Sequence, residues 1–183
     1  MRAPLLTLLA VAAIATSALA DKPLPRGDDR FQLGMTRPEL DLQVMKRRLQ
    51  TLSVGRNNLA VSSDDDAVEF ERYVIVPLKQ KDLLAEVLLA YRLPHTRAGF
   101  DSVRSALVAT LGPPTEHLAP GEDPAGIDRE TVSWTDGSVL VRLTARWTEF
   151  PDPQSDRMTV TWSDIRLRQA MLANQHAAKP KSK

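Results

Sequence analysis

The chain contains no cysteine. No disulfide can staple the fold, so a packed core must supply the stability. Zinc–thiolate, iron–sulfur and thiol-nucleophile chemistry are excluded with it. Beyond residues 5–19 there is no apolar run long enough to cross a bilayer. No G-x-S-x-G, P-loop or dinucleotide fingerprint is present, so the common short signatures of hydrolase, nucleotide and dinucleotide chemistry are missing. A surplus of one charge is also lacking. Of the 24 basic residues one, Arg2, lies in the first twenty positions, and none of the 23 acids does, so the remainder carries no net formal charge. Composition therefore does not point to nucleic acid, and no nucleic-acid partner is expected.

What is present begins at the N-terminus. Met1-Arg2 is a short basic start, Leu5 to Leu19 is almost uninterruptedly apolar, and Ala18-Leu19-Ala20 offers a small-x-small cleavage site before polar Asp21-Lys22-Pro23. Residues 1–20 read as a secretory signal peptide, too short and Ala-rich for a permanent anchor. The expectation is a periplasmic or secreted protein. The leader carries no cysteine to be lipidated, so a soluble chain without a lipid anchor is expected.

Residues 21–30, with two prolines, a glycine and several charges, are expected to be a flexible lead-in. Thr36-Arg37-Pro38-Glu39 has the form of a capping box opening a helix, with Leu42, Met45, Leu49 and Leu52 as its apolar stripe. A second helix is expected from Thr96, with Phe100, Val103, Leu107 and Leu111 on one face and Gly112-Pro113-Pro114 as its stop. Val68 to Val76 reads as a strand. Leu83 to Tyr91 fits strand or helix periodicity, and a strand is favoured because residues 79–82 resemble a hairpin loop. Residues 53–66 and 112–127 are expected to be loops. Thr131–Thr135 and Ser138–Trp147 alternate around Asp136-Gly137, a hairpin signal that with a two-residue turn would pair Trp134 with Val139 and Val132 with Val141. Arg157–Ser163 is a third strand, and a short helix follows from Arg166 to about Gln175. At an offset of sixty, Leu33, Thr36, Arg37 and Asp41 recur as Leu93, Thr96, Arg97 and Asp101, which favours two copies of one unit. The expected fold is α+β: two helix-plus-antiparallel-sheet repeats, residues 31–94 and 95–176, with the helices on one face of the sheet and a basic tail at 177–183.

Leu33-Gly34-Met35-Thr36-Arg37-Pro38-Glu39-Leu40 and the later Leu107…Leu111-Gly112-Pro113-Pro114-Thr115 resemble the SmpA/OmlA-type repeat, whose doubled form is the β-lactamase-inhibitor-protein-like fold. The resemblance implies helices packed on a small antiparallel sheet and a bacterial envelope protein that acts by binding. The chain departs from those lipoproteins in lacking the lipidated cysteine, and from the inhibitor branch in lacking disulfides.

Few residues invite chemistry. His95, His117 and His176 lack a second histidine at metal-ligand spacing. Asp64-Asp65-Asp66 lacks the alternate ligands and glycine of a calcium loop and reads as a solvated acidic loop. Glu69 and Glu71, read as one strand face, could mimic a carboxylate pair but suit a solvent face better. Trp134, Trp147 and Trp162 fall on the apolar side of their strands and read as core. No metal, cofactor or catalytic residue is expected. One constellation stands out. The side opposite the tryptophans carries Arg129, Arg142, Arg146 and Arg157 among threonines and serines, and none of the residues that the three strands place on that side is a carboxylate. It suits an anionic partner surface; the competing reading is an ordinary solvated sheet face. The expectation is a binding module with a protein partner, an envelope-assembly accessory in its most specific form. The alternatives are an inhibitor of a secreted hydrolase, using this face and the 112–127 loop, and lastly an enzyme with an unrecognised site.

Overall fold

The computed structural model describes residues 23–79, 81–92, 96–120, 129–146 and 157–178, the side chains of 175–178 excepted. The signal-peptide reading, Leu93, His95, Trp147, the side chain of His176, residues 121–127 of the 112–127 loop and residues 179–183 of the basic tail therefore lie outside the described residues. The elements run α1 (Arg37–Lys46), β1 (Thr51–Val54), β2 (Asn58–Ser62), β3 (Val68–Pro77), β4 (Asp82–Tyr91), α2 (Arg97–Leu111), β5 (Glu116–Leu118), β6 (Arg129–Thr135), β7 (Val139–Arg146), β8 (Met158–Asp164) and α3 (Ile165–Ala178). The strands form one eight-stranded antiparallel sheet in the order β1-β2-β3-β4-β8-β7-β6-β5. The fold is α+β.

The two helix starts form as their residues dictate. The Glu39 carboxylate accepts the Thr36 N–H at 2.6 Å and its hydroxyl at 2.8 Å, and Pro38 costs no helical bond in the first turn. The Thr96 hydroxyl accepts the Gly99 N–H at 3.0 Å. At the far end of α2, Gly112 takes φ 86°, ψ −167°, and its N–H returns to Val108. The expected stripe of α2 holds: Phe100 is fully buried and Val103, Leu107 and Leu111 pack against the core.

The stripe of α1 does not. Leu40 and Val44 face the core, while Leu42 is 44% and Met45 68% exposed. The helix ends at Lys46, so Leu49 and Leu52 lie beyond it and cannot continue its face. Residues 53–66 are not simply a loop either. They hold the end of β1 and all of β2, whose Leu59 and Val61 alternate into the core; two inward residues are too short a pattern to stand out among polar neighbours. Within the 112–127 loop lies β5, three residues long.

Leu83–Tyr91 is a strand, as favoured, and its ambiguity has a cause. β4 stands at the centre of the sheet, and Leu84, Ala85, Val87, Leu89 and Ala90 are all buried. A strand covered on both faces reads as a continuous apolar run rather than an alternation. The β6–β7 register also differs from expectation. Trp134 pairs with Val141 and Val132 with Leu143, because the turn is longer than two residues. The Asp136 carboxylate organises it, accepting Ser138 N, Ser138 Oγ and Val139 N, each at 2.8 Å. The slip is by two residues, so apolar still meets apolar on one face.

The core lies on one face of the sheet, beneath α1, α2 and the segment before α1. Phe31 meets Trp162 edge-on at 6.1 Å, and Trp134 donates its indole N–H to Gly112 O at 2.9 Å. The expected flexible lead-in is tied down from residue 23 onward. Leu24 N–H bonds Asp136 at 2.7 Å, and Arg26 pairs with Asp164. α3 departs from the expectation of helices on one face. It packs against β3, β4 and β8, and Arg168 reaches Glu86 at 3.2 Å on the face opposite the core. The helix follows β8 without a loop, its Leu167 N–H capped by Asp164 at 2.9 Å, and its packing on β3 and β4 holds it on that side.

Candidate functional site

Side chains alternate across each strand, and the register aligns them into rows. On β6, β7 and β8 the core face takes Val132, Trp134, Val139, Val141, Leu143, Ala145, Met158, Val160 and Trp162, all buried. The second face therefore takes the arginines and hydroxyls, as the sequence pattern requires. Arg129 stands opposite Arg146. Met158 pairs with Ala145, so Arg157, one residue earlier, joins the row of Arg146. Phe70 enters this face through the Phe70–Ala90–Thr159 row, and the Arg157 guanidinium lies 5.8 Å from its ring centroid, a cation–π contact. Arg142 sits two rows away, between Ser133 and Thr161. The four candidates thus share a face: three gather at one end, and Arg142 stands apart.

Their environments differ. Arg142, Arg146 and Arg157 are exposed and Arg129 is half-buried. Among the described residues Arg142 and Arg146 make no ion pair. α3 packs on β3, β4 and β8, and no described helix packs extensively on β5, β6 or β7 on this side. Where helix and open sheet meet there is a groove of about 250 Å3, with Leu140, Arg142 and Thr161 as floor and Ile165, Arg168 and Leu172 as wall. Leu172 is 47% exposed. An apolar strip beside an unpaired guanidinium can hold a carboxylate-bearing, partly apolar group.

Sequence reasoning about three strands missed what the fourth and the helix add. Glu86 reaches this face from β4 and accepts Ser163 Oγ at 3.1 Å as well as Arg168. Arg72 of β3 is on the same face, its strand position paired with Leu88. The alternation of β4 could have revealed Glu86 as the residue opposite Val87. Nothing local indicates the side of α3.

The other polar clusters are committed to the fold. Glu71 is fully buried; Arg47 clamps both of its oxygens, at 2.9 and 2.5 Å, and the Tyr73 hydroxyl and Ser63 Oγ donate to it as well. Burial, with the Glu71 charge beside it, pushes the Tyr73 phenol far up and keeps it a donor. Glu69 is exposed, so the two glutamates do not form a pair. Asp64 binds Arg47, and Asp65 accepts Ala67 N at 2.9 Å, which gives the acidic run structural work. Glu130, 1% exposed, bridges Arg97 and His117, the latter at 2.8 Å. A larger depression of about 730 Å3 lies between the lead-in and α1, but Arg26, Asp28 and Glu39 on its walls already bind Asp164, Arg30 and Thr36. The uncovered arginine face is the candidate site. No family model, curated protein or solved structure matches the chain.

Proposed function

We propose that the chain is an exported protein-binding module of the bacterial envelope, and that the uncovered half of the second sheet face receives an acidic partner surface. The supporting observation is that Arg142 and Arg146 are exposed and, among the described residues, unpaired, with Ser133, Thr131, Thr144 and Thr161 around them. Arg forms two-pronged bonds with carboxylates, and its planar fork means that less freedom is lost per bond formed. The groove beside α3 adds apolar surface at the rim of that patch.

The doubled-repeat reading belongs to the same proposal. Arg37–Asp41 at 2.8 Å and Arg97–Asp101 at 3.3 Å occupy matching positions one turn after the Thr36 and Thr96 caps. Leu40 and Phe100, sixty apart, are both buried, and each helix is followed by four strands. The likeness to the SmpA/OmlA-type repeat, carried by residues 33–40 and by Leu107…Leu111-Gly112-Pro113-Pro114-Thr115, favours an envelope-assembly accessory role.

Crosslinking from envelope extract tests the reading. The wild-type chain captures a partner that Arg142→Glu/Arg146→Glu fails to capture, while stability changes by no more than about 0.5 kcal/mol, as for surface substitutions generally. Equal capture by both would refute it.

A further inference from the structure

The two ends of the sheet are built differently. At one end β5 is short and carries Glu116 and His117, the features that blunt an edge. At the other, β1 is also short and its register shifts between Thr51 and Ser53, but all four of its residues are uncharged and exposed, with Leu52 at 53% and Val54 at 65%. The backbone is also available there. Gly55 N–H bonds Asn58 O at 2.9 Å, so Val54, next along and opposite Leu59, is a non-hydrogen-bonded position. Its own N–H and C=O point away from β2. No described strand lies beyond it.

The chain segment that carries this edge is charged with one sign only. No acid occurs between Asp41 and Asp64, while Lys46, Arg47, Arg48 and Arg56 do. Arg47 is neutralised by Asp64 and Glu71. Arg48 and Arg56 are exposed and unpaired among the described residues, and they flank the strand at equal distances from Leu52. That symmetry decides against a second copy of the chain. Antiparallel self-pairing centred on Leu52 would set each Arg48 against the partner's Arg56, and opposed like charges destabilise a pair.

We infer that β1 receives an extended segment of another protein, apolar at its centre and acidic at both ends, which joins the sheet as a further antiparallel strand. Main-chain bonds to Val54 give it hold, Leu52 and Val54 give it apolar contact, and Arg48 and Arg56 set its polarity. The inference is independent of the arginine face, since β1 is the edge strand farthest from β5 and β6.

The probe is a fluorescent decapeptide of alternating valine and threonine with glutamate at both ends, titrated into the full-length protein by anisotropy and compared with a lysine-ended twin. The glutamate-ended peptide binds, and its twin binds roughly tenfold more weakly, the size of about two exposed ion pairs. Arg48→Glu/Arg56→Glu reverses the preference. Val54→Lys weakens binding of the first peptide at unchanged melting temperature, and bound peptide slows hydrogen exchange at the Val54 amide. Equal binding of the two peptides, binding of neither, or an unprotected Val54 amide overturns the inference. So does a concentration-dependent dimer in sedimentation, or capture of anionic lipid vesicles in place of peptide.

Discussion

Replacing Arg47 with methionine strips a fully buried carboxylate of its cation. Glu71 has no exposure and Arg47 has 12%, whereas Asp64, the second acid on Arg47, is 45% exposed. The two halves of this network therefore carry different weights. An exposed pair contributes about 0–1 kcal/mol, so Asp64→Asn costs that much or less. Breaking the buried half leaves an uncompensated charge and costs about 3–5 kcal/mol. For a chain of this size that lowers the melting temperature by roughly 6–20 °C. Replacing the whole buried cluster with apolar groups, in Arg47→Met/Glu71→Leu/Tyr73→Phe, removes charge, counter-charge and hydroxyl together and recovers stability to within about 2 kcal/mol of the starting protein. Urea denaturation followed by tryptophan fluorescence reads these differences as shifts in midpoint at constant slope. If Arg47→Met costs no more than Asp64→Asn, or the triple variant is no more stable than the single one, the cluster is not the desolvated clamp described above.

Two further outcomes rest on single turns. Burial raises the Asp136 carboxyl, but the amides of Val139, Ser138 and Leu24 outweigh it and bring it to about 2. A carboxyl lowered on folding contributes stability above its ordinary value near pH 4 and loses it as pH falls toward 2. Asp136→Asn should flatten that part of the acid-unfolding curve by about 1 kcal/mol or less, because the group is largely screened by solvent; a curve parallel to wild type would count against the turn bonds. Gly112 holds φ 86° with nothing within 4 Å of where a Cβ would sit, so Gly112→Ala should cost about 1–3 kcal/mol of backbone strain alone, and a thermal melt unchanged from wild type would contradict it.

What was legible in the sequence followed the strength of local patterns. The two helix starts announce themselves because a hydroxyl or a glutamate must bind the amides at that position. The arginine face was readable because a strand has only two sides: once Val141 and Leu143 are inward, Arg142 is outward whatever the register. That is why the turn at Asp136 could slip the pairing by two residues without moving a single side chain to the wrong face. The stripe of α1 failed because Leu42 and Met45 continue at helical spacing to Leu49 and Leu52, past Lys46 where the helix has ended, and so hide Leu40 and Val44, the two residues that face the core. Glu71 reads as a surface acid, since its partner Arg47 stands 24 residues away, and the buried role of Glu130 is equally hidden because its partners Arg97 and His117 stand 33 and 13 residues away. The side taken by α3 was decided by long-range packing on β3 and β4.

The meeting of β4 with β8 at the centre of the sheet governs the order in which the molecule can assemble. Ser163 bonds Glu86 across 77 residues, and α3 then covers strands belonging to the first half of the chain. Pairings of such separation are costly in loop closure and slow the search for the native state. The middle of the sheet stays open until nearly the whole polypeptide has emerged, so early portions cannot lock into a finished structure ahead of the rest. A stop codon before residue 158 would remove an interior strand rather than trim a margin, leaving two four- and three-stranded remnants with unpaired centres and a strong tendency to aggregate.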